Sequence, residues 1–460
     1  MRYVSTRGQA PVLDFEGVLR AGLARDGGLY VPEAVPVLAP AEIADMAGRP
    51  YEEVALRVIE PFVGGAFGRD ALAGMIRDAY AGISHPARAP LKQLAPGLFL
   101  LELFHGPTLA FKDFAMQLVG RLFAASLARS GGRITVIGAT SGDTGSAAIE
   151  AFAGLPGVEV FILFPRGRVS EVQRRQMTTP TAANVHALAV EGDFDTCQAL
   201  VKAAFNDHAF RDGVGLAGVN SINWARVLAQ VVYYFAAAVA LGAPHRPVSF
   251  CVPTGNFGDI YAGSVARAMG LPVGRLIAAT NHNDILHRCL TTGEYRPEGV
   301  RPSISPSMDI QVSSNFERAL FDAHGRDAAP VRALMADLAR GGFAVPPDAL
   351  AALRAIYGSG RASEEETAAA IARTLAETGE LVCPHTAVGL SVAAGATGPE
   401  PMVALATAHP AKFPDAVAAA TGVHPALPAR MADLFDRPER VTDLPAHLPA
   451  LQALIRARIA

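Results

Sequence analysis

The sequence predicts an α/β protein built on parallel sheets covered by helices. Three observations carry that expectation. The middle of the chain repeats one grammar, a short β-branched run followed by a Gly/Ser/Thr/Asn loop and then a helical stretch. The longest apolar stretch, Val227 to Ala243, is broken by Gln230 and falls short of the ~20 residues of a membrane span, so it predicts a buried helix. Half of the 460 residues are apolar and 18% are charged, enough to bury a large core.

Taken in order, residues 1 to about 95 mix short elements with several prolines (Pro32, Pro36, Pro40, Pro50) and predict an N-terminal subdomain. Arg133–Ile137 is a strand candidate that runs into Gly138–Gly145 and an Ala-rich helix. Val158–Phe164 is a second strand, ended by Pro165. Val185–Val190 precedes the helix Phe194–Phe205, and Val248–Val252 precedes the loop Pro253–Asp259 and another helix. Leu276–Thr280 and Met402–Ala406 are further strands. From Asp348 to Glu377 the pattern predicts an Ala-rich, solvated helical excursion. The expected division is an N-terminal subdomain over 1–95, a smaller α/β domain over 96–245 and a larger one over 246–460. In sheets of this kind ligands gather outside the carboxyl ends of the strands, where the polar loops fall.

Composition narrows the function classes. The formal charge is −3 with the signs interspersed, and no basic run exceeds Arg174-Arg175, which argues against a nucleic-acid partner. The four cysteines lie far apart without a CxxC, the pattern of buried thiols in a reducing compartment. The first 26 residues carry Arg7, Asp14, Glu16, Arg20, Arg25 and Asp26, so a signal-peptide core is not expected. A cytoplasmic protein without a membrane segment is the expectation, as a monomer or small homo-oligomer.

Lysine occurs only four times among 40 basic residues, at Lys92, Lys112, Lys202 and Lys412. Where arginine supplies the generic positive charge, a retained lysine points to amine chemistry that an always-protonated guanidinium cannot perform. Lys112 stands in His105-Gly106-Pro107-Thr108-Leu109-Ala110-Phe111-Lys112-Asp113-Phe114, at the start of a helix striped by Phe114, Leu118 and Leu122. Positive potential at a helix N-terminus and partial burial both lower an amine's pKa, as Schiff-base chemistry needs. The alternative is a surface lysine whose aliphatic stem covers the aromatics.

Two loops complete the constellation. Gly138-Ala139-Thr140-Ser141-Gly142-Asp143-Thr144-Gly145 joins a strand to a helix, where successive N–H groups suit an anion, carboxylate or phosphate. It matches neither a Walker A loop nor GxGxxG, and a plain helix cap would also account for it. Pro253-Thr254-Gly255-Asn256-Phe257-Gly258-Asp259 has the same setting, with Gly255 and Gly258 permitting close backbone approach. Two such loops and a helix-start lysine suggest a phosphorylated cofactor, a lysine attached to it and an anionic substrate; pyridoxal 5'-phosphate satisfies all three. Competing chemistries lack their motifs: GxSxG, SxxK and HExxH are absent, and the five-residue spacing of His282 and His287 splits them around a helix, so no metal is expected.

With these motifs the chain resembles the threonine synthase family in its longer microbial and fungal form, pyridoxal-phosphate enzymes of fold type II related to the tryptophan synthase β subunit. HGPTLAFKDF (105–114), GATSGDTG (138–145) and PTGNFGD (253–259) carry the resemblance, supported by YVSTRG (3–8), GLARDGGLYVP (22–32), NSINWAR (220–226), SPSMDIQVSSNFER (305–318) and LATAHPAKFP (405–414). The resemblance implies that Lys112 attaches to the cofactor as a Schiff base and acts as the catalytic base. It implies that Gly255, Asn256, Phe257 and Gly258 bind the cofactor phosphate and that the Thr407 hydroxyl meets the pyridine nitrogen. Ser141, Gly142, Asp143 and Thr144 would take the substrate carboxylate. Many fold-type relatives carry Asn where Asp143 stands, and an ionised Asp cannot donate, so the role of Asp143 stays open. Asn223 and Arg226 are candidates for the substrate phosphate, with His105 and Lys412 as further contacts.

The implied reaction converts O-phospho-L-homoserine and water to L-threonine and phosphate, the last step of threonine biosynthesis. Two alternatives compete with it. One is a phospho-lyase that eliminates phosphate and releases a 2-keto acid. The other is a non-catalytic relative that binds a phosphorylated amino acid, against which the retained Lys112 and both glycine loops argue.

Overall fold

The computed structural model describes residues 1–218, 220–396 and 398–459. Two sheets organise it. The larger has six strands in the order Tyr357–Arg361, Val273–Thr280, Val248–Pro253, Met402–Ala406, Leu98–Glu102 and Leu91–Ala95, all parallel except the last. The smaller has five parallel strands in the order Thr442–Leu444, Val185–Val190, Val158–Pro165, Ile134–Ala139 and Leu216–Gly218. Every residue of Val248–Pro253 and Met402–Ala406 is buried, as expected of parallel strands covered on both faces.

The apolar run read as a buried helix is Trp224–Ala240. It packs against the helices Lys112–Ser130, Tyr51–Val63 and Gly258–Ala268, which explains why it is apolar on nearly every side. Trp224, Tyr233 and Tyr234 are all fully buried along it, each a burial of about 2 kcal/mol. No helix among the described residues is long and apolar enough to cross a membrane.

The N-terminal region pairs Tyr3–Ser5 with Tyr30–Pro32 and adds the helices Phe15–Ala21, Pro40–Ala44, Tyr51–Val63 and Arg69–Tyr80. It shares one core with the sheets: Tyr3 packs on Trp224, and Arg318 donates to the Tyr30 carbonyl.

Two expectations are corrected. The stretch 348–377 is not a continuous solvated helix, because the strand Tyr357–Arg361 interrupts it at the edge of the larger sheet. Its sequence, Tyr-Gly-Ser-Gly-Arg, carries little strand signal, yet a Cβ on Gly360 would meet Val392 at 2.6 Å, so close helix packing accounts for that glycine. The helix that follows, Glu364–Thr378, is capped by Ser363 and buries Thr367, Ala370, Ile371 and Thr374. The expected boundaries also cut across the sheets. Leu91–Ala95 and Leu98–Glu102 join the larger sheet, whereas Thr442–Leu444 crosses back to the smaller one.

Candidate active site

The two glycine loops and Thr407 all follow the carboxyl ends of strands: Ile134–Ala139, Val248–Pro253 and Met402–Ala406. Lys112 opens the helix Lys112–Ser130, and Thr407 is tied to it because the Phe111 N–H donates to the Thr407 carbonyl at 2.8 Å. The Lys112 side chain is 11% exposed and its amine lies over the Phe111 ring. It is therefore not a surface lysine sheltering aromatics.

The loop before Lys112 is folded back on its own helix. Asp113 accepts hydrogen bonds from the Thr108 N–H at 2.9 Å and the Thr108 hydroxyl at 2.6 Å. Gly106 is required there, since a Cβ would lie 2.3 Å from the Asp113 carboxylate. Leu109 and Phe257, one in each ligand-side loop, adopt left-handed φ values of 62° and 64°. Such backbone is disfavoured outside glycine and gathers at functional sites.

Asp143 is the centre of the constellation. Its Oδ2 lies 3.3 Å from the Lys112 amine and 3.4 Å from the Ser307 hydroxyl. Its Oδ1 accepts from Lys412 at 2.7 Å and from the Gln173 amide at 2.9 Å. Burial alone would raise the Asp143 pKa, but Lys412 and Lys112 outweigh it and hold the carboxyl well below the usual range. Both oxygens thus accept from side chains of the protein, which gives Asp143, whose role the sequence leaves open, the part of an acceptor.

Burial pushes the Lys112 amine below its ordinary value; Asp143 opposes this, whereas Lys412 and Arg226 add to it. Arg226 is buried, and desolvation lowers its pKa to about 10. Asn223, paired with it in the sequence reading, is committed elsewhere. Its side chain caps the helix by accepting from the Ala225 N–H at 3.0 Å and donates to the Leu19 carbonyl at 2.9 Å. His105 engages Glu102 at 2.7 Å.

In the 138–145 loop, the N–H groups of Gly142 and Gly145 both donate to the Thr140 hydroxyl at 2.9 Å. That internal acceptor shapes the turn and leaves Ser141 and Thr144, both half-buried, at the mouth of the helix Asp143–Phe152.

The residues fit a pyridoxal phosphate. No side chain caps the helix Gly258–Ala268, whose N-terminus follows the Gly255–Phe257 turn. The carbonyls of that turn are tethered, Gly255 by the Ser313 hydroxyl at 2.7 Å and Asn256 by the Asn315 N–H and amide at 3.0 Å. A helix N-terminus without a side-chain cap, entered through a glycine, suits a phosphate. Ser307 joins this cradle to the lysine: its hydroxyl reaches Asp143, and its carbonyl lies against Gly255.

Sequence reasoning missed Gln173, Ser307 and His385. Ser307 lies in the matching SPSMD segment and Gln173 closes a capping box, but nothing local marks His385. Its Nε2 accepts from the Ser307 N–H at 3.1 Å, and burial lowers its pKa to about 4, so the ring is neutral.

Family models described as "Threonine synthase N terminus", "Pyridoxal-phosphate dependent enzyme" and "Threonine synthase, C-terminal" match residues 2–80, 85–361 and 386–455. Threonine synthase from Pseudomonas aeruginosa is 54% identical, the match covering 99% of this chain and 98% of that protein. The Saccharomyces cerevisiae enzyme is 41% identical, with coverages of 89% and 87%. A crystal structure of PLP-bound threonine synthase from Brucella melitensis superposes with a TM-score of 0.97 at 56% identity, covering 100% of this chain and 99% of that one. The yeast structure gives 0.94 at 37% identity, with coverages of 100% and 98%. The chain belongs to the threonine synthase family, pyridoxal-phosphate enzymes of fold type II.

Proposed function

We propose that this chain converts O-phospho-L-homoserine and water to L-threonine and phosphate, with pyridoxal 5'-phosphate attached through Lys112. The observation that carries the reading is a buried helix-start lysine held by Asp143 and linked through Ser307 to a glycine loop without a side-chain cap, in a chain of this family. The cofactor, when bound, supplies an electron sink that makes protons at Cα and Cβ removable and lets phosphate leave Cγ before water adds at Cβ.

The chain's own residues divide the remaining work. The lowered proton affinity of Lys112 suits an amine that takes and returns protons at Cα and Cβ near neutral pH. Asp143 orients that amine as an acceptor. The N–H groups of the 255–258 turn bind the cofactor phosphate, and the Thr407 hydroxyl meets the pyridine nitrogen. Ser141 and Thr144 take the substrate carboxylate, and Gly142 shapes the turn that presents them by donating its N–H to Thr140. Arg226 attracts the substrate phosphate, and Asn223 acts beside it by capping the helix that carries Arg226. The family match runs along nearly the whole chain and favours neither the phospho-lyase nor the non-catalytic binder.

The test supplies cofactor and O-phospho-L-homoserine to the protein and to Lys112→Ala. Wild type should release phosphate, and the variant should lose roughly a thousandfold or more of that rate. Equal phosphate release from both would refute the assignment.

A further inference from the structure

We propose that Lys412 is a positioning residue for the reaction: by holding the second oxygen of Asp143 it allows the Lys112 nitrogen to shed its proton inside the protein. The inference rests on Lys112 being the cofactor lysine.

Lys412 has 0% exposure and ends the short turn Pro410–Lys412, five residues beyond Thr407. Its ammonium donates to Asp143 Oδ1 at 2.7 Å and to the Thr108 carbonyl at 2.8 Å. The first contact is shorter than the 3.3 Å between Lys112 and Oδ2 of the same carboxylate. Thr108 is fixed in turn by Asp113. Lys412 therefore pins together the loop before Lys112, the start of the Asp143 helix and the segment after Thr407.

The residue type follows from this setting. A guanidinium would bring five donors to a buried place where two acceptors are seen, whereas an ammonium brings three. In a chain with only four lysines, two meet on one carboxylate. Lys92 pairs with Glu380 at the surface, and Lys202 is exposed.

Coulomb's law gives the consequence. If Lys112 were the sole cation on Asp143, the buried carboxylate would favour the protonated amine, which neither attacks a carbonyl nor accepts a proton. With Lys412 on the other oxygen, Asp143 keeps a counter-ion when Lys112 becomes neutral, and a second cation nearby is disfavoured. The other charged or titratable groups that act on Lys112 or are acted on by it are Arg226, Asp259 and His385. Those influenced by Lys412 include Asp113, His385 and His409. Asp143 is the acidic group bonded to both lysines.

The test reads the Lys112 amine in the full-length apoprotein, following against pH the rate at which added cofactor forms the visible Lys112–cofactor linkage. Lys412→Met should move the midpoint to higher pH by about one to three units. Should that variant fail to fold, Asp143→Asn and Asp143→Asn/Lys412→Met remove the stranded carboxylate, and the double variant should titrate at higher pH than the single one. A midpoint unchanged on whichever background folds, with only the melting temperature lowered, would overturn the role. Borohydride reduction and peptide mass mapping accompany each titration. The cofactor mass on Lys112 with an unmoved midpoint defeats this inference alone, whereas its absence from Lys112 in wild type defeats both this inference and the reading beneath it.

Discussion

A Cβ atom on Gly255 would lie 2.8 Å from the carbonyl oxygen of Ser307. That backbone oxygen cannot swing away like the end of a flexible side chain, because His385 holds the Ser307 N–H and Asp143 holds its hydroxyl. Gly255→Ala should therefore push the phosphate turn outward. The expected outcome is a cofactor affinity weakened about tenfold or more, a loss near 1.4 kcal/mol, as measured by absorbance titration of apoprotein. Unaltered affinity would mean that the turn does not bind the cofactor phosphate.

Arg226 supplies a rigid fork of donors that a lysine does not reproduce. Arg226→Lys should raise KM for O-phospho-L-homoserine by about tenfold while leaving kcat within roughly threefold, the split expected when a binding contact is weakened equally in ground and transition states. A kcat loss at constant KM would move Arg226 from the substrate phosphate to the chemical step.

The 138–145 turn depends on one hydroxyl. Thr140 is buried and accepts from the N–H groups of both Gly142 and Gly145. Thr140→Val keeps the shape but strands those donors, which should destabilise the protein by about 1–3 kcal/mol. Denaturant unfolding would measure the loss, and KM should rise as the turn proposed to take the substrate carboxylate loosens.

His385 gives a pH-dependent term whose sign is fixed. Its pKa is lowered by burial from 6.5 to about 4, so the folded protein resists a proton that the unfolded chain accepts. Stability is thus unaffected above the unfolded value and lost progressively as pH falls from 6.5 toward 4. His385→Gln retains an acceptor for the Ser307 N–H but does not titrate. Its stability relative to wild type should improve by about 3 kcal/mol between pH 7 and pH 4. Parallel pH profiles for the two proteins would contradict the buried, neutral ring.

Much of the architecture was legible because parallel strands are buried on both faces and so announce themselves as apolar runs. Val185–Val190 and Met402–Ala406 coincide with their expected ranges. Tyr357–Arg361 escaped notice because packing against a helix demands glycine there, and glycine erases strand propensity. At the site, Lys112 and the two glycine loops stood out through local chemistry. The task of Asp143 did not, since it is set by Lys412 and Ser307 far away in the chain; Asn223 caps its own helix locally, and only its bond to Leu19 is distant. His385 illustrates the same limit, because nothing around it in the sequence distinguishes a site histidine from a core one.

The most direct measurement of the central claim is a product balance. Purified protein is given pyridoxal 5'-phosphate and O-phospho-L-homoserine, and phosphate, threonine and 2-ketobutyrate are quantified together. Phosphate should be matched one-to-one by threonine. Phosphate matched by 2-ketobutyrate would contradict it by showing a lyase at the same lysine, and no phosphate at all would show that the substrate is wrong.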